Sequence, residues 1–546
     1  MVADQLYLGN IITMDERRLD EKKQKLFQAL TVKDGYVQYV GSEEMARKLC
    51  DENTEVHDYR GSYIYPGMIE AHCHPDMAGS RLKLCASLIG TNDLSECVDI
   101  MKEYIKENPD NLFYVGAGWI FREEMPDRHM LDAICSDKPV MLNSEDGHSL
   151  WMNTKALEIN GIDREAAKEY GPDIVRVDEN GEPTGYISEG PTQNILASVE
   201  FTDAEYDKSL LAWQQKAFEN GYTACVHTGT AKPEIYRSYA RLIESGQWKL
   251  RTYAYHILDE NDPDYITRLE EMKEFADEYN CEYFELMGPK VFMDGVVEAH
   301  TAWMLDDYLD QPGYRGIKRM SDPKQFTEIL VKAEELGLTV HCHTIGDGAI
   351  KFALDCIEEA QVKTGNFAMR TALAHLQNIR PEDIRRFADL NVVAVVPPLW
   401  TPRLSPFAEQ EAYYIGANKM WANYPMQSIA DKGGVLAFHS DYPVSSEFNV
   451  PKTIFTAITR REPGQNRENV PLLKESECLT RSQALTGLTA GPAYSVFQEY
   501  WLGKLEIGFV ANMSIYDTDF LNAEEDEIVN AKLIATVVDG EEVYKA

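Results

Sequence analysis

Short apolar runs broken by turn signals mark both ends of this chain. Residues 6–13, 30–32 and 36–40 are rich in β-formers and are divided by turns such as Asp34-Gly35. Residues 511–516 and 531–538 have the same character and lead into Asp539-Gly540. Strand-rich segments at the two ends predict a small β-sandwich domain assembled from both termini, residues 1–63 plus 498–546. The middle has another rhythm. Apolar runs at 221–227, 249–258, 286–294, 338–343, 371–375, 392–396 and 434–441 read as strands. Amphipathic stretches at 326–336, 349–359 and 381–390 read as helices. Strands alternating with helices predict an α/β architecture with a parallel sheet.

The spacing of polar residues at the strand ends narrows that architecture. A (β/α)8 barrel of about 250 residues allots about 31 to each unit. From His343 to His375 is 32 residues, one unit. From His375 to Asp441 is 66, and from His227 to Lys290 is 63, two units each. Lys290 and His343 lie 53 apart, one unit plus an inserted loop near 306–316. With His74 ending strand 1 and His227 ending strand 2, the gap of 153 exceeds one unit by about 120 residues. The expectation is a TIM-like (β/α)8 barrel, residues 64–78 plus 200–497. An α/β lobe, residues 79–199, is inserted between strands 1 and 2 and is expected to cover the active site.

Composition excludes more than it identifies. Apolar residues make up 44% and charged residues 26%, an ordinary globular balance. The chain lacks the run of about 18 apolar residues that a membrane-spanning helix needs. Residues 1–10 lack a basic region followed by a long apolar core, so no secretory signal is expected. The net charge of −37, from 53 basic and 90 acidic residues, is the outlying number. A surface this acidic repels phosphate backbones and anionic lipid, which argues against nucleic-acid and membrane partners. Ten scattered cysteines without a CxxC read as reduced thiols in a cytoplasmic protein.

The sharpest chemical motif is Pro66-Gly67-Met68-Ile69-Glu70-Ala71-His72-Cys73-His74. Side chains at i and i+2 of a strand share a face, so His72 and His74 project together and their imidazoles suit one transition metal. Alone, an HxH is as readily two ordinary strand histidines. Further polar residues end other strands: His341 and His343, His375, His439 and Asp441, with Lys290 inside the strand ending at Asp294. Barrel enzymes carry their catalytic residues at such ends. No complete dinucleotide or P-loop glycine pattern and no G-x-S-x-G is present.

These residues resemble the amidohydrolase superfamily of metal-dependent hydrolases, in particular its YtcJ-like branch. The likeness runs over nearly the whole chain. It includes Gly118-Trp119, Leu131-Asp132, Lys138-Pro139-Val140, His148, Trp151, Asn153 and Gly181-Glu182-Pro183-Thr184-Gly185. It continues through Asp294-Gly295, His343-Thr344-Ile345-Gly346-Asp347, Gln377, Ser440-Asp441-Tyr442-Pro443-Val444 and Gly503-Lys504-Leu505. The resemblance implies that His72 and His74 hold the more buried of two divalent metal ions, and that His343 and His375 hold the second. It implies a carboxylated Lys290 bridging them and Asp441 touching a metal as general base. Zinc is the default for a His-rich hydrolytic site, with manganese and iron as alternatives.

Each assignment has a structural rival. Lys290 can pair with Asp294 or Glu298, and His341 shares a strand face with His343 and can replace it as ligand. His439 shares a face with Asp441 and either touches substrate or orients the aspartate. His148, Trp119 and Asp294 join His439 as candidate substrate contacts, although Trp119 and Trp151 equally suit the core of the inserted lobe. Asp347 is a candidate helix cap. Trp303, Tyr308, Tyr314, Trp400 and Tyr442 follow strand ends and suit either an apolar or aromatic substrate or loop packing. The implied function is hydrolysis of an amide or other C–N bond of a small-molecule amide substrate by an amidohydrolase, in a family that often forms homodimers. A deaminase or cyclic amidine hydrolase is the alternative, though the glutamate such enzymes place after the strand-5 histidine is missing here. A catalytically inactive binding scaffold is the third reading.

Overall fold

The computed structural model describes residues 1–15, 27–120, 125–144, 149–172, 174–188, 195, 199, 201–230, 232–402, 406–465 and 475–546. Two compact units emerge. One comprises 1–74, 214–233 and 248–546, and the other 75–213 and 234–247.

In the first unit the chain starts with β1 (Gln5–Ile11), β2 (Phe27–Lys33), β3 (Tyr36–Gly41) and β4 (Glu55–Pro66), and then enters β5 (Met68–Cys73). The second unit carries β6 (Cys85–Ser87), β7 (Tyr114–Trp119), β8 (Val140–Ser144), β9 (Ser149–Met152), β10 (Val175–Val177) and β11 (Pro183–Ser188). These six pair in the order β10-β11-β9-β8-β7-β6. The sequence reading closes this lobe at residue 199, whereas the compact unit runs on to 213 and takes in the helix Pro233–Glu244. That helix is strongly amphipathic, with Ile235, Tyr236, Tyr239 and Leu242 buried.

The chain returns to the first unit through β12 (Tyr222–Thr230), β13 (Arg251–Ile257), β14 (Phe284–Phe292), β15 (His341–Thr344), β16 (Ala372–His375), β17 (Val393–Val396) and β18 (Val435–Phe438). With β5 they form an eight-stranded sheet in the order β18-β17-β16-β15-β14-β13-β12-β5, and every neighbouring pair is parallel. The ends meet through main-chain bonds: the Asp441 N–H donates to the His72 carbonyl at 3.1 Å, and the His74 N–H to that of Tyr442 at 2.9 Å. This is the expected barrel. Its short strands read Val-Ala-Val-Val or Ala-Leu-Ala-His and are wholly buried, as strands covered on both faces must be.

Helices Pro323–Glu335 and Asp347–Thr364 occupy two of the expected positions. The third expected helix is instead two four-residue turns, Pro381–Ile384 and Arg386–Asp389, which meet at Arg385. The expected last strand, 434–441, is Val435–Phe438, and Asp441 beyond it takes a left-handed backbone, φ 60°, which an extended strand cannot hold.

Finally β19 (Met513–Tyr516), β20 (Leu533–Val538) and β21 (Glu541–Lys545) pair with the N-terminal strands in one seven-stranded sheet, order β21-β20-β19-β4-β1-β2-β3. Tyr7, Leu30 and Ile64 pack with Met513, Ile515 and Val537 in its core.

Candidate active site

The cluster lies at the C-terminal ends of the barrel strands. On β5, Glu70 and His72 alternate onto one face and His74 follows just past the end. β14 supplies Lys290, β15 His341 and His343, β16 His375, and the segment after β18 supplies His439 and Asp441. Register sets the heights: Lys290 lies opposite His341, Phe292 opposite His343, and Thr344 opposite His375. His375 and Asp441 both take left-handed backbones, φ 76° and 60°, an uncommon conformation that concentrates at functional sites.

The residues expected as ligands come together. Asp441 Oδ1 lies 3.2 Å from His72 Nε2 and 3.1 Å from His74 Nε2. One donor atom each from His72, His375 and Asp441 lies within 4.8 Å of the others. The His343 ring centroid is 4.6 Å from that of His375. His341 also belongs to the cluster: its Nε2 sits 2.9 Å from His72 Nδ1. Both strand-5 histidines therefore reach the site, His341 against His72 and His343 against His375.

Electrostatics divide these groups into neutral donors and one anion. Burial pushes the imidazoles of His72, His341 and His375 well below their ordinary value; the Lys290 charge adds to this at His72 and His341, and His343 does so at His375. Burial takes His439 down to about 3. Lys290 falls to about 7, again through burial, against the opposing pull of Asp441. Burial alone would raise Asp441, but the hydrogen bond from His74, amid the surrounding imidazoles, holds it well below the carboxylate range. Glu70 goes the other way. Burial lifts it to about 8, although the Ser440 N–H at 2.9 Å and the His72 N–H at 3.3 Å donate to it.

This donor set fits metal. Lys290 Nζ, His375 Nδ1 and both ring nitrogens of His439 are buried without a hydrogen-bond partner, a costly state for polar atoms that ligation relieves. Neutral imidazoles offer a lone pair, and beside a carboxylate they match a divalent transition ion. His72, His74, His343, His375 and Asp441 would hold it, with Lys290 opposite His341 on the neighbouring strand.

Several candidate contacts have other roles. Asp294 is a clasp. Its oxygens accept the backbone N–H groups of Trp303 (3.0 Å), Ile345 (3.1 Å) and Gly346 (2.8 Å), and Oδ1 lies 3.2 Å from His343 Nδ1, so that Nε2 is the atom this ring would offer a metal. Trp119 is a core residue of the second unit, with its indole N–H on the Leu142 carbonyl at 2.9 Å and Trp151 and Tyr186 against its ring. His148 lies outside the described residues. Asp347 is not a cap: Gly346 holds that position, and the Asp347 carboxylate receives the Leu305 N–H at 2.7 Å and Arg380 at 3.1 Å. His439 sits between His72, His375 and Trp400. Sequence reasoning passed over Glu70, although its i, i+2, i+4 spacing with the histidine pair was a usable signal. It also left Trp400, which stacks on His375, among several equal aromatics.

Buried imidazoles, an ionised aspartate and a depressed lysine at the C-terminal rim of a parallel barrel define a metal-dependent hydrolase. The sequence profile of the amidohydrolase family matches residues 55–544, and the chain belongs to that family. It is a YtcJ-like member, 27% identical over 530 residues to the putative amidohydrolase YtcJ of Bacillus subtilis, covering 95% of this chain and 96% of that one. It is 25% identical over 557 residues to the N-substituted formamide deformylase of Arthrobacter pascens, covering 97% of each. An uncharacterised metal-dependent hydrolase of Pyrococcus horikoshii shares the fold, with a TM-score of 0.77 at 24% identity over 95% of this chain and 99% of that one.

Proposed function

We propose that this hydrolase cleaves an amide C–N bond of a small molecule at a two-zinc centre bridged by a carboxylated Lys290. The observation that carries this reading is Lys290 itself, buried, unpartnered at Nζ and depressed to about 7. An ordinary lysine is almost wholly protonated at neutral pH and inert towards carbon dioxide. Lys290 is in large part a free amine there. Its nitrogen can attack carbon dioxide and release one proton, leaving an anionic two-oxygen carbamate. Divalent ions held by the cluster would polarise a carbonyl and lower the pKa of water. Asp441, held ionised, takes the proton of the attacking water and returns it to the departing amine. The likeness to a formamide deformylase supports C–N cleavage. Against the deaminase alternative, Asp347, the nearest carboxylate after His343 in sequence, is committed to Leu305 and Arg380.

Metal analysis and amine release from N-substituted formamides test this together. Metal-replete protein should hold two ions per chain. Lys290→Ala should lose at least one of them, with a rate loss of about 100-fold or more. A Lys290→Ala protein with two ions and full activity sinks the carbamate. Wild-type protein without stoichiometric metal sinks the whole reading.

A further inference from the structure

A cavity of about 480 Å³ adjoins the cluster, a volume that suits a small molecule. Four of its lining residues follow the proposed ligands along the chain. Ile345 lies two past His343, Gln377 two past His375, and Val444 and Ser445 just past Asp441. The N–H groups of Val444 and Ser445 both reach the Asp441 carbonyl, at 2.8 and 3.2 Å. Two lining residues are thus hydrogen-bonded to the main chain of Asp441, the proposed proton donor to the departing nitrogen. Trp400 joins the two places: it lines the cavity, and its indole stacks on the His375 imidazole with centroids 5.5 Å and planes 6° apart.

Three features mark a ligand site, and the first and last of them say what would bind. Trp400, with Leu399, Ile345 and Val444, offers an apolar wall with a flat face. Gln377 also lines the cavity and is buried, yet its side-chain nitrogen has no partner. A mere packing gap has no use for such an atom. The charged lining is of one sign. Glu298 lines the cavity half-buried, and Glu411 lines it while accepting from Asn423 Nδ2 at 3.0 Å. Among the described lining residues none is lysine or arginine. Carboxylates in a partly desolvated recess attract a cation more strongly than they would in open water.

We infer that this cavity is the subsite for the nitrogen-side substituent of the amide. It takes a flat ring carrying a protonated amine, with the ring on Trp400 and the ammonium at Glu298. The assignment rests on the amide-hydrolase reading above and adds the substrate class.

Calorimetry on metal-replete protein tests it without asking for turnover, using 4-(aminomethyl)benzylamine and its neutral-tipped isostere 4-ethylbenzylamine as probes. The diamine should bind about tenfold tighter. Glu298→Gln, a conservative change at a half-buried residue, should erase that preference, and Trp400→Ala should weaken both amines. Equal affinities in the wild type, or a preference that survives Glu298→Gln, overturn the assignment. Cleavage of the matching N-formyl derivatives is read in parallel. If the amines bind as expected and neither formamide is cleaved, the ligand class stands and the amide-hydrolase reading falls.

Discussion

Glu70 and Asp441 are two carboxylates of one rim with opposite fates. Both are buried, and burial favours the neutral acid in each. Asp441 accepts a hydrogen bond from His74, while at Glu70 the Ser440 and His72 N–H groups do not offset the cost of burial. The balance of hydrogen bonding against burial decides the outcome. Folded Glu70 keeps its proton up to about pH 8, whereas an unfolded glutamate ionises near 4.5. The folded state therefore binds the extra proton between those values, and stability falls as pH rises through that window, then levels off above it. Glu70→Gln cannot ionise, so it should flatten this slope. Thermal melts at about pH 5 and about pH 8 measure it; an identical slope in the variant would exclude Glu70 as its source.

At the scale of elements, the site depends on loops tied together rather than on strands alone. Asp294 ends the segment after β14 and gathers the N–H groups of Trp303, Ile345 and Gly346 while facing His343. Gly346 is part of that clasp, since a Cβ there would lie 2.1 Å from the Trp303 carbonyl oxygen. Asp294→Ala strands three backbone donors, at about 1–3 kcal/mol for each that stays unpaired and buried. A clear fall in melting temperature and a loss of metal affinity through His343 are expected, with Asp294→Asn retaining more of both. Melting curves and metal titrations on the two variants check this. Unchanged metal affinity in Asp294→Ala would show that His343 needs no such support.

At the scale of the molecule, the two chain ends meet in one sheet and that sheet is tied to the barrel. Ser514 Oγ on β19 donates to the Gly221 carbonyl at 2.5 Å and accepts the Met68 N–H at 3.1 Å. The net charge of −37 acts on this scale too. A field of that sign raises the local concentration of divalent cations and disfavours polyanionic substrates. Metal association should therefore slow as salt is raised from about 10 mM to about 500 mM, since screening shortens the reach of the field. Stopped-flow uptake of metal by chelated protein measures this. A rate indifferent to salt would reduce the charge to a solubility device. Among the described residues no helix is long and apolar enough to cross a membrane.

Sequence by itself determined the kind of barrel and most of the residues at its rim. Strand alternation puts His72 with His74 and His341 with His343, and unit length sets Lys290 two units after His227, His375 one unit after His343 and Asp441 two units after that. Both regularities are one-dimensional, so a single chain displays them. Only the tertiary structure decided that Asp294 is a clasp, that Trp119 is core, and that Trp400 rather than another aromatic lies on His375. It also decided that Lys290 is depressed, Glu70 protonated and Asp441 ionised. Each of these depends on groups brought together from strands far apart in the chain, and on the water that their packing excludes. Local pattern carries neither quantity.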